Sequence, residues 1–252
     1  MPMNQGINLL NPNYVPVVKD QKTYYGGSQM WFSDNKKLST DRLLHNYGCG
    51  TIATADLFLY LVLQNQAESN SLTDIAIGKA DTIDYQDYMS YVRKIHSLYT
   101  KTKPIIAVLG PKVASAIHRY SKTYQLGLKA SWKMNLSYYD MLALMEEMLS
   151  KDLPVIFSIG PNTPNLWGKK GIRFFTHKEL ENKKYEYQVA RSEINGHYVT
   201  VTGIIKDEIK KKLMLRISSW GKMFYVDYEE YRDYVDHFSG TITSSMVYIR
   251  KP

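Results

Sequence analysis

The sequence predicts an α+β fold in which a helical N-terminal half meets an antiparallel β-rich C-terminal half across a cleft. Three observations lead there. Apolar residues recur at helical spacing up to about residue 150, the runs beyond Pro154 are short and rich in β-branched and aromatic residues, and no internal repeat breaks this order. At 252 residues, 44% apolar and 22% charged, the chain has the composition of an ordinary globular protein and the length of one domain with two lobes. The expected parts are an N-terminal arm at 1–40, a helical lobe at 41–150 and an antiparallel β lobe at 151–252.

Residues 1–40 are rich in Asn, Pro, Gly and Tyr without a sustained period and read as an extended arm packed on the body, with room for short strands. Thr51 to Gln64 is apolar on almost every side, broken mainly by Thr54 and Asp56, which predicts a helix buried all round with Cys49 at its first turn. Ser71-Leu72-Thr73-Asp74 has the spacing of a capping box, and Asp84 is placed to cap a helix carrying Tyr85, Tyr88, Val92, Ile95 and Tyr99. Pro111 in a first-turn position precedes Val113, Ala114, Ile117 and Tyr120. Ser137 opens a last helix of this half, with Met141, Leu142, Met145, Met148 and Leu149 on one side. Asn135-Leu136-Ser137 matches a glycosylation sequon, but its simpler reading is that helix start.

The β half begins with Val155 to Ile159, closed by Gly160-Pro161. Asn162 to Lys184 reads as a loop. Tyr185 to Arg191, Tyr198 to Ile205, Leu213 to Ser218, Met223 to Val226 and Met246 to Arg250 read as strands, with Asp227 and Glu230 placed to start a helix between the last two.

A net charge of +8 admits an anionic partner, but the lysines are scattered along the chain. The one tight run, Lys210-Lys211-Lys212, falls at an expected hairpin turn, and no nucleic-acid motif accompanies it, so no nucleic acid is expected as a partner. The longest apolar run, Leu57 to Leu63, is far short of the roughly 18 residues a spanning helix needs, so no membrane is expected either. The start lacks a basic-then-apolar signal, which points to a cytoplasmic protein. One cysteine excludes an internal disulfide and a multi-cysteine zinc cage. His96, His118, His177 and His237 have no partners at metal-ligand spacing, so neither metal nor cofactor is expected.

The chemistry rests on Cys49 and His197. A thiol at a helix N-terminus meets unpaired amide groups and the positive end of the helix dipole, both of which favour the nucleophilic thiolate. Gly48 and Gly50 on either side leave space for a substrate backbone. His197 follows Asn195-Gly196 at the head of a strand, and a hairpin folded near Glu208 brings it opposite residue 219 to within two residues. Ser218-Ser219-Trp220-Gly221 then lies beside the histidine and supplies a short polar side chain able to orient the imidazole and an indole large enough to shield it from water.

Tyr47-Gly48-Cys49-Gly50, Gly196-His197-Tyr198-Val199 and Ser218-Ser219-Trp220-Gly221 together resemble the three signatures of papain-like cysteine peptidases, in the same chain order. The pattern is most similar to the bacterial branch around bacteriocin-processing peptidases, where a helix and a Pro-Val-Ile strand precede the Gly-His strand; here these are Asp140 to Leu149 and Pro154-Val155-Ile156. The family's histidine follows its cysteine by about 130–150 residues. Here 197 minus 49 is 148.

The resemblance, which spans Asn46 to Tyr231, implies a papain-like two-lobe fold and hydrolysis of a peptide or amide substrate through a Cys49 acyl-enzyme, with His197 as general base and acid. Two positions depart from the pattern. Ser218 stands where the family has an asparagine that orients the histidine, and Leu43 where it has an oxyanion-stabilising glutamine. Asn46 is the replacement expected in the oxyanion hole, with His45 second and the Cys49 backbone amide as the constant partner. The same parts also suit acyl transfer to an amine or thiol, or binding without turnover.

Overall fold

The computed structural model of the chain describes residues 5–33, 39–78, 82–104, 107–162, 169–180, 184–207 and 211–251. Its fold is α+β. The helices are α1 (Thr40–Tyr47), α2 (Cys49–Leu63), α3 (Thr73–Ala76), α4 (Tyr85–Ile95), α5 (Gly110–Thr123), α6 (Tyr138–Ser150) and α7 (Tyr228–Tyr234). In the first part of the chain the strands are β1 (Gln5–Asn8), β2 (Pro16–Lys19), β3 (Lys22–Tyr25), β4 (Ile83–Asp84) and β5 (Lys129–Lys133). The remainder are β6 (Val155–Ile159), β7 (Ile172–Leu180), β8 (Lys184–Ile194), β9 (His197–Asp207), β10 (Lys212–Ser219), β11 (Lys222–Asp227) and β12 (Met246–Arg250).

Most helix starts follow from their capping side chains. Asp84 accepts from the Gln86 amide, Ser137 from Asp140, and Asp227 from Glu229 and Glu230, each satisfying a donor that the first turn leaves open. The expected capping box at Ser71 gives way to Asn70, whose Oδ1 accepts from the Leu72 and Thr73 amides at 3.1 and 3.3 Å; α3 is a single turn. α2 is buried from Cys49 to Leu61 and begins two residues before the predicted stretch, so the cysteine itself opens the helix.

One large antiparallel sheet runs in the order β5-β12-β6-β9-β10-β11-β7-β8. β6 and β1 share one edge of β9, Val155–Ile159 pairing with Val201–His197 and Gln5–Asn8 with Lys206–Gly203. Two strands therefore join this sheet from the N-terminal part of the chain, β1 from the arm and β5 through its pairing with β12. The second half of the expected loop at 162–184 is β7, whose Ile172 and Phe174 are buried. Its bulged register against β8 breaks the simple alternation by which a strand is read from sequence.

The arm carries short strands and packs on the body. β2 and β3 form a hairpin across Asp20-Gln21, both at positive φ (50° and 61°) as a two-residue type I′ turn requires, and β2 pairs in parallel with β4. Tyr14, Val15 and Val17 are fully buried and belong to the hydrophobic cluster that extends through α2, α4, α5 and α6 to β12. Within it the Phe58 and Tyr120 rings stack at 3.7 Å and 8°, a geometry worth about 0.5–1.5 kcal/mol beyond area burial. Among the described residues no helix is long and apolar enough to cross a membrane.

Candidate active site

Cys49, at the first position of α2, and His197, at the first position of β9, line one cavity of about 20 Å³, the space of a single water molecule. Each is 8% exposed. Cys49, Ile52, Ala53 and Asp56 reach the cavity from successive turns of α2, at the i, i+3, i+4, i+7 spacing of one helix face. Opposite them stand residues from the head of β9, the end of β10 and Trp220 in the turn after it, with Gly27 and Gln29 supplied by the arm.

Burial pushes the Cys49 thiol above its ordinary range, against the opposing pull of the backbone N–H groups of Tyr198, Gly50 and Cys49 itself. Low dielectric outweighs the helix terminus here. The sulfur thus rests beside the amide of the residue that follows His197. His197 is pushed down to about 3 by burial. The closed site accordingly holds a neutral thiol and a neutral imidazole.

His197 Nε2 lies 2.8 Å from Ser219 Oγ. Ser218, the residue the sequence puts forward, turns elsewhere: its hydroxyl donates to the Tyr25 carbonyl at 2.8 Å and fastens the arm to β10. The reason is strand parity. Ser218 pairs with Thr200 after a register shift at Arg216/Ile217, so Ser219 falls opposite Val199, on the face that His197 shares.

Trp220 lies against the histidine. Its indole stacks on the imidazole at 4.4 Å and 15°, with the Arg191 guanidinium 5.0 Å from the indole centroid. Trp220 and Gly221 are the two central residues of the β10–β11 turn at φ 49° and 72°, the type I′ geometry. A tryptophan rarely adopts that conformation, and stacking on His197 together with a tilted contact to Phe174 holds it there.

Asn46, expected in the oxyanion hole, is exposed in the last turn of α1 and is not among the residues lining the cavity. His45 is also diverted, its Nδ1 lying 2.6 Å from the Phe32 carbonyl. The amide side chain at the cavity is Gln29, whose Nε2 donates one hydrogen to the His45 carbonyl at 2.8 Å. Nothing in its spacing to Cys49 marks Gln29 in the sequence. Tertiary hydrogen bonds bring it there: the Gly27 carbonyl accepts from Gly221 at 2.8 Å, and the Gly27 amide donates to Asp56 Oδ2 at 3.0 Å. Gly27 tolerates no side chain, since a Cβ would lie 1.8 Å from the Tyr88 hydroxyl.

Asp56, in sequence only a polar break in an apolar helix, also lines the cavity. It is fully enclosed, and burial raises its carboxyl to about 7 despite donation from the Tyr88 hydroxyl at 2.6 Å and from the Gly27 amide. Among the described residues no group of three or more His, Cys, Asp or Glu side chains is arranged to hold a metal ion. No family model matches the chain, and no curated protein matches it.

Proposed function

We propose that the chain is a papain-like cysteine hydrolase of peptide or amide bonds, its helical and β parts forming two lobes with Cys49 and His197 facing each other across the cleft. The observation that carries this reading is the shared cavity, in which the only thiol of the chain meets an imidazole held by Ser219 and covered by Trp220.

With Nε2 turned to Ser219, Nδ1 is the ring nitrogen available to the thiol. His197 Nδ1 takes the Sγ proton as sulfur attacks the carbonyl carbon, so the ion pair forms during attack instead of standing in the resting site. The developing oxyanion is received by the Cys49 backbone amide and the second Nε2 hydrogen of Gln29, in the role expected of Asn46. The tetrahedral intermediate collapses with cleavage of the C–N bond, and His197 gives its proton to the departing amine. Water, deprotonated by the same nitrogen, then releases the acyl group as a carboxylic acid and restores the thiol.

Iodoacetamide labelling at pH 7 tests the pair without a known substrate. Cys49 should alkylate stoichiometrically, and His197→Ala should slow the reaction by about a hundredfold, the lower end of general-base contributions. An unreactive Cys49 in the native protein, or a rate indifferent to His197→Ala, would exclude the mechanism.

A further inference from the structure

The positive charge of this chain is not spread evenly. Between Tyr88 and Tyr139 lie nine of its 32 lysines and arginines and none of its 24 aspartates and glutamates, and the remaining 23 cations nearly balance those 24 acids. The whole net charge of +8 therefore belongs to one stretch, which spacing along the sequence conceals and the fold gathers.

Arg93, within it, is neutralised by Asp41 at 2.7 and 2.8 Å. Lys101, Lys103, Lys112 and Arg119 are not: among the described residues none of the four forms an ion pair with a carboxylate. They are nevertheless drawn together. Lys112 Nζ donates to the Lys101 carbonyl at 3.0 Å, and the Arg119 guanidinium donates to the Tyr99 carbonyl. Burial, then the charges of Lys103, Arg119 and Lys101, push the Lys112 ammonium below its usual range, as expected of cations crowded without an anion to offset them.

This cluster is fastened to the residues that follow Cys49. Thr51 Oγ1 lies 2.8 Å from Thr100 Oγ1 and 3.0 Å from Thr102 Oγ1, the two residues on either side of Lys101. A Cβ on Gly50 would lie 3.5 Å from Val108 Cβ and 3.3 Å from the Tyr198 ring, so the far end of the same loop packs at the head of α2. The large exposed apolar side chains nearby are the aliphatic Leu98 and Leu109, which offer a polypeptide apolar contact and a nucleobase no ring to stack on.

We propose that Lys101, Lys103, Lys112 and Arg119 form a subsite that holds acidic side chains of the polypeptide substrate beside Cys49. The assignment rests on the hydrolase reading above and names the kind of substrate that reading leaves open. Exposed charges act over roughly one Debye length, about 8 Å at physiological salt, so the position of the cluster, not the protein's overall charge, makes the effect local to the site.

The test uses the intact protein and a fluorescein-labelled ten-residue peptide of alternating Glu and Leu, read by anisotropy and by protection of Cys49 from iodoacetamide. The native protein should bind the peptide more weakly as salt rises and lose labelling as the peptide saturates. The triple variant Lys101→Gln, Lys103→Gln, Lys112→Gln should bind about tenfold more weakly at low salt, as expected for three nearby charges. Its Cys49 should alkylate at the native rate when no peptide is present, which also reports that it has folded. Equal binding by the variant, binding without protection, or stronger protection by an oligothymidylate of equal length would each overturn the subsite. Anisotropy reads the cluster whether or not Cys49 reacts. Peptide binding with an inert Cys49 would therefore sink the hydrolase reading, and with it the subsite, in a recognisably different way.

Discussion

His197 Nε2 and Ser219 Oγ stand 2.8 Å apart, and this contact, one residue beyond the expected one, fixes the imidazole. The two serines should separate cleanly on mutation. Ser219→Ala should slow Cys49 alkylation by about tenfold or more, because the ring loses the partner that sets its tautomer. Ser218→Ala should leave that rate unchanged and lower stability by about 1–2 kcal/mol in urea unfolding, since the buried Tyr25 carbonyl loses its donor.

His197 should make the protein acid-sensitive. Its ring is neutral in the fold down to about pH 3 but protonates near 6.5 once unfolded, so between those values the unfolded chain binds the extra proton. The stability it supports is complete above pH 6.5 and is lost as pH falls toward 3. Urea midpoints measured from pH 7 to 4 should therefore decline, and decline less in His197→Gln; equal slopes would show that the ring is solvated.

Asp56 acts with the opposite sign. Its folded-state value of about 7 lies above the ordinary carboxylate range, so the folded protein holds the proton and stability falls as pH rises from about 4 through 7. Asp56→Asn keeps an acceptor for the Gly27 amide and removes the charge. It should flatten the loss of stability between pH 5 and 8, with a midpoint at pH 8 at or above the native one.

Trp220→Ala should release the imidazole rather than unfold the chain. Burial is the only influence holding His197 down, and the indole stacked on it at 4.4 Å supplies much of that burial. The ring titration followed by NMR should move from about 3 toward the ordinary histidine value near 6.5.

Gln29→Ala tests the arm's contribution to the chemistry. With an activated thioester as acyl donor, release of the acyl group should slow by about tenfold to a hundredfold, within the range for one lost oxyanion donor. Cys49 alkylation, which forms no oxyanion, should be unaffected; a fall in both would assign Gln29 to shaping the cavity instead.

Several parts of the site were legible because their signals are local. Cys49 stands before a stretch apolar on every face, and α2 is buried on every face. Gly196-His197 precedes an alternating run, and β9 begins at His197. Trp220-Gly221 lies between two strand-like runs, and it is the turn that sets the indole on the histidine. Ser218 is the residue expected to orient the ring because it stands at the position of the family's asparagine, although the hairpin spacing already brings residue 219 opposite His197; the register shift at Arg216/Ile217 keeps Ser219 on the histidine's face, and propensity carries no trace of such a shift.

By itself the sequence determined the α+β class, the helix caps at Asp84, Ser137 and Asp227, and the positions of thiol and imidazole at the heads of their elements. These follow from interactions between residues close along the chain. Tertiary structure alone decided that Ser219 holds the ring, that the arm delivers Gln29 to the cavity, that Asp56 anchors the arm, and that Lys101, Lys103, Lys112 and Arg119, none of them ion-paired to a carboxylate among the described residues, gather near Thr51. Each of these depends on contacts between elements distant in sequence, where register and burial in the folded chain, not local pattern, fix which side chains meet.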